Sequence, residues 1–254
     1  MRFEQFLPAA HLKPYIRYYV VSENPAAHTY KVLPAAGMVI GFQYNGQLAV
    51  MEDHTPTFLA SAGITGIADR YRIFAHAGSI GTILVYFTVT GFAHFANAPA
   101  NELFNLQVSL ENIFHRQKID DVKEKLAQAK TTVQRIRVVE QFLLAELKEK
   151  AHDKLIMEAV RMIYDSKGAI KISQLHRRLY ISQSPFEKRF RKLVGTTPKK
   201  FASIVRFNTV LKALGSAKSL SDICYENNFF DQAHFIKDFR QFTGDTPEAF
   251  KRLQ

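Results

Sequence analysis

The chain has 254 residues, which at about 150 residues per domain favours two modest domains over one large one. Hydrophobic residues make up 47% and charged residues 22%, ordinary usage that excludes wholesale disorder, a collagen-like repeat and a coiled-coil rod. The net charge of +11 is uneven: residues 1–150 carry 15 Lys/Arg against 13 Asp/Glu and residues 151–254 carry 19 against 10, so +2 stands beside +9. A basic bias confined to one half is the footprint of a surface that neutralises phosphates. A solvated basic face, an acidic membrane or an acidic protein partner would give the same count.

The chain opens MRFEQFLPAAHLKPYIRYYVV, with acid, proline and base breaking every apolar stretch. No signal-peptide core of about 7 to 15 apolar residues can be drawn, and a cytoplasmic protein is expected. The longest nearly apolar windows, 33–42 and 82–92, fall short of the roughly 20 residues a membrane helix needs, so no membrane partner is expected. Eight of the twelve glycines lie between Gly37 and Gly91. They punctuate runs at 15–21, 38–44 and 80–89 that are rich in β-branched and aromatic residues, which reads as strand and turn. Tyr15, Tyr18 and Tyr19 fit a core or sheet face as well as a pocket wall. The single cysteine, Cys224, forbids an intrachain disulfide and a multi-thiolate zinc site, and the nine histidines never come closer in sequence than 17 residues. No metal and no cofactor are expected.

Residues 120–129 and 132–150 carry apolar side chains at helical spacing, the second with Ile136, Val139, Leu143 and Leu147 on one face. These two amphipathic helices either cover the β region or form a dimerisation surface. The fold class expected is α+β in two domains: residues 1–150 form a β-rich, barrel-like domain ending in two helices, and 151–254 form an all-α domain. In the latter, Gly168, Gly195, Gly215 and Gly244 each follow a helical pattern, where a residue free to take positive φ ends a helix.

The second half contains a repeat. At an offset of 49, Phe186, Lys188, Phe190, Arg191, Gly195, Thr197, Pro198 and Phe201 match Phe235, Lys237, Phe239, Arg240, Gly244, Thr246, Pro247 and Phe250. Upstream the offset is 48, so the second copy has one extra residue in its turn. Each copy reads as a short helix (173–179, 221–227), a tight turn, a capping residue (Ser182, Asp231) and a second helix whose phenylalanines at i and i+4 face inward. This is a helix-turn-helix. Pro185 removes an N–H from the first turn, so Ser182 is expected to cap a neighbouring amide or to contact a phosphate. A hairpin repeat used only for packing would carry no sign of charge outside, whereas Lys188, Arg189, Arg191 and Lys192 crowd one copy and Lys237 and Arg240 the other. The connector 198–214 reads as a helix of about 25 Å, long enough to hold two reading heads on one face of DNA about 34 Å apart.

The stretch FFDQAHFIKDFRQFTGDTPEAF, residues 229–250, resembles the signature of the AraC family of bacterial transcription regulators, and the resemblance covers about 151–254. Asn228 stands where a glycine is usual, and asparagine is the next most tolerant of positive φ. His176 replaces a small alanine and reads as a packing variant. HLKPYIRYYVV, YKVLPAAGMVIGF and the segment 63–114 are similar, less specifically, to β-rich sensor domains fused to such modules. The resemblance implies a sequence-specific transcription regulator, activator or repressor, whose partners are double-stranded DNA, RNA polymerase, a small-molecule effector and a second copy of the chain. Carried over position by position, the base-reading residues are Ser184, Glu187 and Lys188, then Gln232, Ala233, His234 and Lys237. Backbone contacts fall to Ser182, Arg189, Arg191, Lys192, Lys199, Lys200 and Arg240.

Two rivals stand beside this reading. A cupin-like enzyme fused to a DNA reader would need clustered histidines and carboxylates, and His28, His54, His76 and His94 are dispersed; no phosphate loop or nucleophile elbow occurs, and no catalytic residue is expected. A non-specific architectural DNA binder would bind specific and random DNA alike.

Overall fold

The computed structural model describes residues 1–53, 55–148, 150–214, 222–223, 225 and 232–252. The amino-terminal half is two antiparallel sheets. β1 (Arg2–Phe6), β2 (Ile16–Asn24), β9 (Ile80–Phe87), β4 (Val39–Asn45), β7 (Ala62–Thr65) and β10 (Gln107–Ser109) form a six-stranded sheet in that order. β3 (His28–Val32), β8 (Arg72–His76), β5 (Ala49–Glu52) and β6 (Thr55–Phe58) form a four-stranded one. The three runs read as strands become β2, β4 and β9, with Tyr19 paired to Val85 and Ile40 also paired to Val85.

Alternation then decides what is buried. Tyr19 and Val21 of β2, Ile40 and Phe42 of β4, and Ile83, Val85 and Phe87 of β9 turn one face of the large sheet into core. The intervening Tyr18 and Tyr86 meet ring to ring at 4.7 Å on the other face, so Tyr19 is core and Tyr18 sheet face, while Tyr15, in the turn before β2, packs against His94 and Phe95. Two helices, α1 (Arg116–Gln128) and α2 (Thr132–Glu146), cover the apolar side. Ile119, Val122, Leu126, Val139 and Leu143 are buried in the joint core, and Phe142 packs edge-on against Phe42 at 6.0 Å and Phe114 at 5.3 Å. The covering reading of these helices describes what they do; Val133 and Leu144 stay exposed.

Helix α2 is shorter than its periodicity suggests, ending at Glu146 with Leu147 extended. The reason is tertiary. The Lys148 N–H donates to the His94 carbonyl at 2.8 Å, and the Lys150 ammonium donates to the carbonyls of Ala93 and Ala96, both at 2.9 Å. These bonds draw the chain out of the helix and strap it across the turn at Gly91–His94.

Among the described residues beyond 153, all regular structure is helical. α3 (Lys154–Asp165) is capped by Asp153, whose carboxylate accepts the Ile156 N–H at 3.1 Å. α4 (Ile172–Arg178), α5 (Gln183–Val194), α6 (Pro198–Leu214), α7 (Gln232–Thr243) and α8 (Pro247–Arg252) follow. The connector is wrapped by the others on most sides: Phe201, Ala202, Ile204, Val205, Phe207, Val210 and Leu214 are buried. Arg206 fastens it to the turn after α3 by donating to the Gly168 carbonyl at 2.8 Å.

Candidate nucleic-acid interface

The duplication seen in the sequence is reproduced in the packing. In the first copy, Phe186 and Phe190 lie 5.7 Å apart and Phe190 meets Phe201 of the next helix at 5.7 Å. In the second, Phe235 and Phe239 lie 5.7 Å apart and Phe239 meets Phe250 at 5.5 Å. Gly195 and Gly244 end α5 and α7 at φ 99 and 81, their N–H groups bonding to the carbonyls of Arg191 and Arg240. Thr197 and Thr246 then accept the N–H of Lys200 and Ala249, both at 3.2 Å, to start α6 and α8. Eight matched identities therefore encode one structural unit made twice.

The first unit is described throughout. Leu175 of α4 is buried, and His176 packs its ring edge against Phe186 at 5.2 Å. The turn runs through Tyr180, which holds φ 50 and is 96% exposed. A β-carbon disfavours that backbone region, so no sequence signal marked this tyrosine as the left-handed turn residue. Ser182 sits at the helix start but accepts no side-chain capping bond; only its backbone carbonyl takes the Phe186 N–H, at 3.3 Å. The expected cap is thus corrected. With Pro185 in the first turn and no bond to hold it, the hydroxyl of this exposed residue is left to solvent.

Opposite the buried phenylalanines, α5 presents Ser184 and Lys188 as exposed residues, with Glu187 half-buried and accepting from Gln183 at 2.9 Å. Arg191, Lys192 and Lys199 are exposed and pair with no described acid. Two other cations of the expected backbone set are engaged within the protein. Arg189 holds Asp153 with both ends of its guanidinium, at 2.8 to 3.0 Å, and the Lys200 ammonium lies 3.0 Å from Asp69. Arg177 and Arg178, exposed at the end of α4, add positive charge beside the turn; two consecutive arginines were the signal available for them.

In the second unit, Ala233, Lys237 and Arg240 are exposed on α7. Gln232 and His234 belong to the same helix, but their side chains lie outside the described residues, as do Asp231, Asn228, Cys224, Gly215 and His54. Most of the expected short helix at 221–227 lies there too; of its described residues, Ile223 is buried and Tyr225 is 87% exposed. Among the described residues no group of three or more histidine, cysteine or carboxylate side chains could hold a metal, and no helix is long and apolar enough to cross a membrane.

Comparison with known proteins gives each half its own match. The family described as "Helix-turn-helix domain" matches residues 175–253, and one described as "Domain of unknown function (DUF6597)" matches residues 4–109. The Msm operon regulatory protein of Streptococcus mutans is 26% identical over 119 residues, covering 45% of this chain and 43% of that protein. The chain thus spans under half the length of the curated relative it matches. Among solved structures, ToxT from Vibrio cholerae aligns over 92% of this chain and 97% of that one at 8% identity with a TM-score of 0.49. The AraC-like transcriptional activator CuxR aligns over 87% and 83% at 15% identity with a TM-score of 0.31.

Proposed function

With residues 175–253 an AraC-type helix-turn-helix domain in a chain homologous to an operon regulator, we propose that the protein is a sequence-specific DNA-binding transcription regulator that is not an enzyme. The division proposed is 1–150 for signal input or self-association and 151–254 for DNA. Helices α5 and α7 enter successive major grooves. Ser184, Glu187 and Lys188, then Gln232, Ala233, His234 and Lys237, meet base edges; Ser182, Arg191, Lys192, Lys199, Lys200 and Arg240 meet phosphates, and Arg189 is kept for Asp153. The chemistry suits the parts: lysine donates to guanine O6 and N7, glutamine pairs with adenine, glutamate accepts from cytosine N4, and the alanine methyl meets that of thymine. An effector, a second copy and RNA polymerase belong to the same reading, in the cytoplasm.

The observation that carries it is the repeated unit with basic residues on the outward side of both second helices. The test is selection of bound sequences from a random duplex pool by the full chain, followed by titration at several salt concentrations. A two-part site spanning about two turns, preferred over random DNA by about a thousandfold or more and weakening steeply with salt, supports the proposal. Equal affinity for every sequence would favour an architectural binder, and no salt-dependent binding would end the DNA reading.

A further inference from the structure

The two copies touch the β-rich half through the same corner. A β-carbon on Gly195 would lie 2.7 Å from the Met38 methyl and 3.2 Å from the Ala100 carbonyl, and one on Gly244 would lie 2.6 Å from the Tyr71 ring. Both helix-ending glycines, equivalent in the repeat, are therefore sites of close approach by the other domain.

One carboxylate joins all three parts. Asp69 is set by a reciprocal pair with Asn105: the Asp69 N–H donates to Asn105 Oδ1 at 3.0 Å, and Asn105 Nδ2 donates to Asp69 Oδ1 at 2.9 Å. Asn105 itself takes φ 60 to do so. The other oxygen, Oδ2, then receives Lys200 of the first copy at 3.0 Å and Gln241 of the second at 3.3 Å. Beside it, the Lys31 ammonium donates to the Thr243 carbonyl at 2.8 Å and to Asp245 at 2.6 Å, and lies 4.7 Å from the Tyr71 ring centre.

This placement sets α5 against the β-rich half. A cleft of about 650 Å³ has Gln183, Ser184, Glu187, Lys188, Arg191 and Lys192 on one side and Pro99 and Asn101 on the other. The face assigned above to base reading is thus one wall of an open cleft between the two halves. A major groove about 12 Å wide takes a whole helix, and duplex DNA would have to occupy the space of Pro99 and Asn101.

We propose that Asp69, with Lys31 beside it, is an intramolecular latch that holds both helix-turn-helix units against the β-rich half and competes with DNA. The inference rests on the DNA-binding reading above. The competition is electrostatic as well as steric, since Lys200 neutralises either Asp69 or a phosphate. Because one acid reaches both copies, releasing it frees both reading helices together. An event in the β-rich half that shifts residues 69 or 105 then changes DNA affinity, and by linkage DNA changes the affinity for that event by the same factor.

The test compares the full chain with Asp69→Asn, Lys31→Met and the double variant, none of which alters a DNA-contacting residue. Small-angle X-ray scattering reports domain separation without DNA, and fluorescence anisotropy with the selected duplex reports affinity. The double variant is expected to be more extended and to bind DNA about tenfold more tightly, with each single variant between it and the wild type and circular dichroism unchanged. An unchanged radius of gyration in Lys31→Met and the double variant would show that these contacts do not hold the domains. Expansion without a gain in affinity would show that the contacts do not shield the reading face. Expansion with no DNA binding by any form would overturn the DNA reading and the competition built on it.

Discussion

Arg189 and Asp153 form a two-pronged pair, with guanidinium nitrogens 2.8 to 3.0 Å from the carboxylate oxygens, and the same aspartate caps α3. An arginine on the first reading helix thus braces the start of the domain. Arg189→Ala is expected to cost about 1 kcal/mol of stability, the value of a well-formed but half-exposed pair, and to leave the salt slope of DNA binding almost unaltered. Arg191→Ala, with no described acid to lose, should spare stability and reduce that slope by about one. Chemical denaturation and anisotropy titrations read both; a reversed pattern would exchange the two roles.

Lys188→Ala should relax discrimination at a single base pair, at a cost of about 1 to 3 kcal/mol for the preferred base. Titration against single-base variants of the selected site measures this. A uniform loss across all variants would assign the lysine to a phosphate.

Ser182 makes no capping bond, so Ser182→Ala should shift stability by under about 0.5 kcal/mol, where loss of a true cap costs about 1 kcal/mol. Its effect belongs to DNA affinity. A destabilisation of a full kilocalorie in urea titration would show that the hydroxyl caps the helix in solution.

Two positive-φ glycines, Gly168 and Gly195, differ in what surrounds them. At Gly168 a β-carbon would fall 2.2 Å from the Ala202 carbonyl and 2.8 Å from the Arg206 nitrogen, both backbone atoms of the buried connector. At Gly195 its nearest obstacle is the movable end of Met38. Gly168→Ala is therefore expected to cost about 3 kcal/mol or more, and Gly195→Ala about 1 to 2 kcal/mol from backbone strain. Thermal melts rank them, and an equal cost would mean that the turn after α3 yields as readily as a side chain.

Burial, then the neighbouring His152 and Lys150, hold the His94 imidazole below its ordinary range. Its ring lies 4.4 Å from that of His152 and 4.8 Å from that of Tyr15. The unfolded chain takes up this proton near pH 6.5 and the folded chain only at lower pH. In between, the unfolded state binds more protons and stability rises with pH. The melting temperature should fall as pH drops from 7 towards 5, and His94→Phe should flatten that fall. Parallel decreases in both proteins would place the acid sensitivity elsewhere.

How far the sequence was readable depended on whether a feature was local. Phenylalanines at i and i+4, a glycine five residues beyond the second and Thr-Pro-x-x-Phe after that are short-range instructions, and they return as two near-identical ring geometries. The connector was legible for the same reason, since Pro198 and the apolar run to Leu214 bound it on their own. What could not be read is tertiary. No window around residues 147–150 says that the chain leaves a helix for carbonyls at 93–96, or that Asp153 and Asp69 claim two of the basic residues expected on DNA. Tyr180 was hidden for a further reason: a bulky residue at positive φ runs against its own preference and is held there by the elements it joins.

For the proposed DNA reading, a buried connector also constrains the operator. Because α6 is gripped along its length by apolar packing, the distance and angular phase between the two reading helices are fixed quantities that cannot stretch to suit a promoter. A site whose halves drift apart by about five base pairs, half a helical turn, presents one of them to the far side of the duplex, out of reach. On the DNA reading proposed above, the halves of a bound site keep their phasing while individual letters within each half are free to vary, so selection acts on spacing before it acts on sequence.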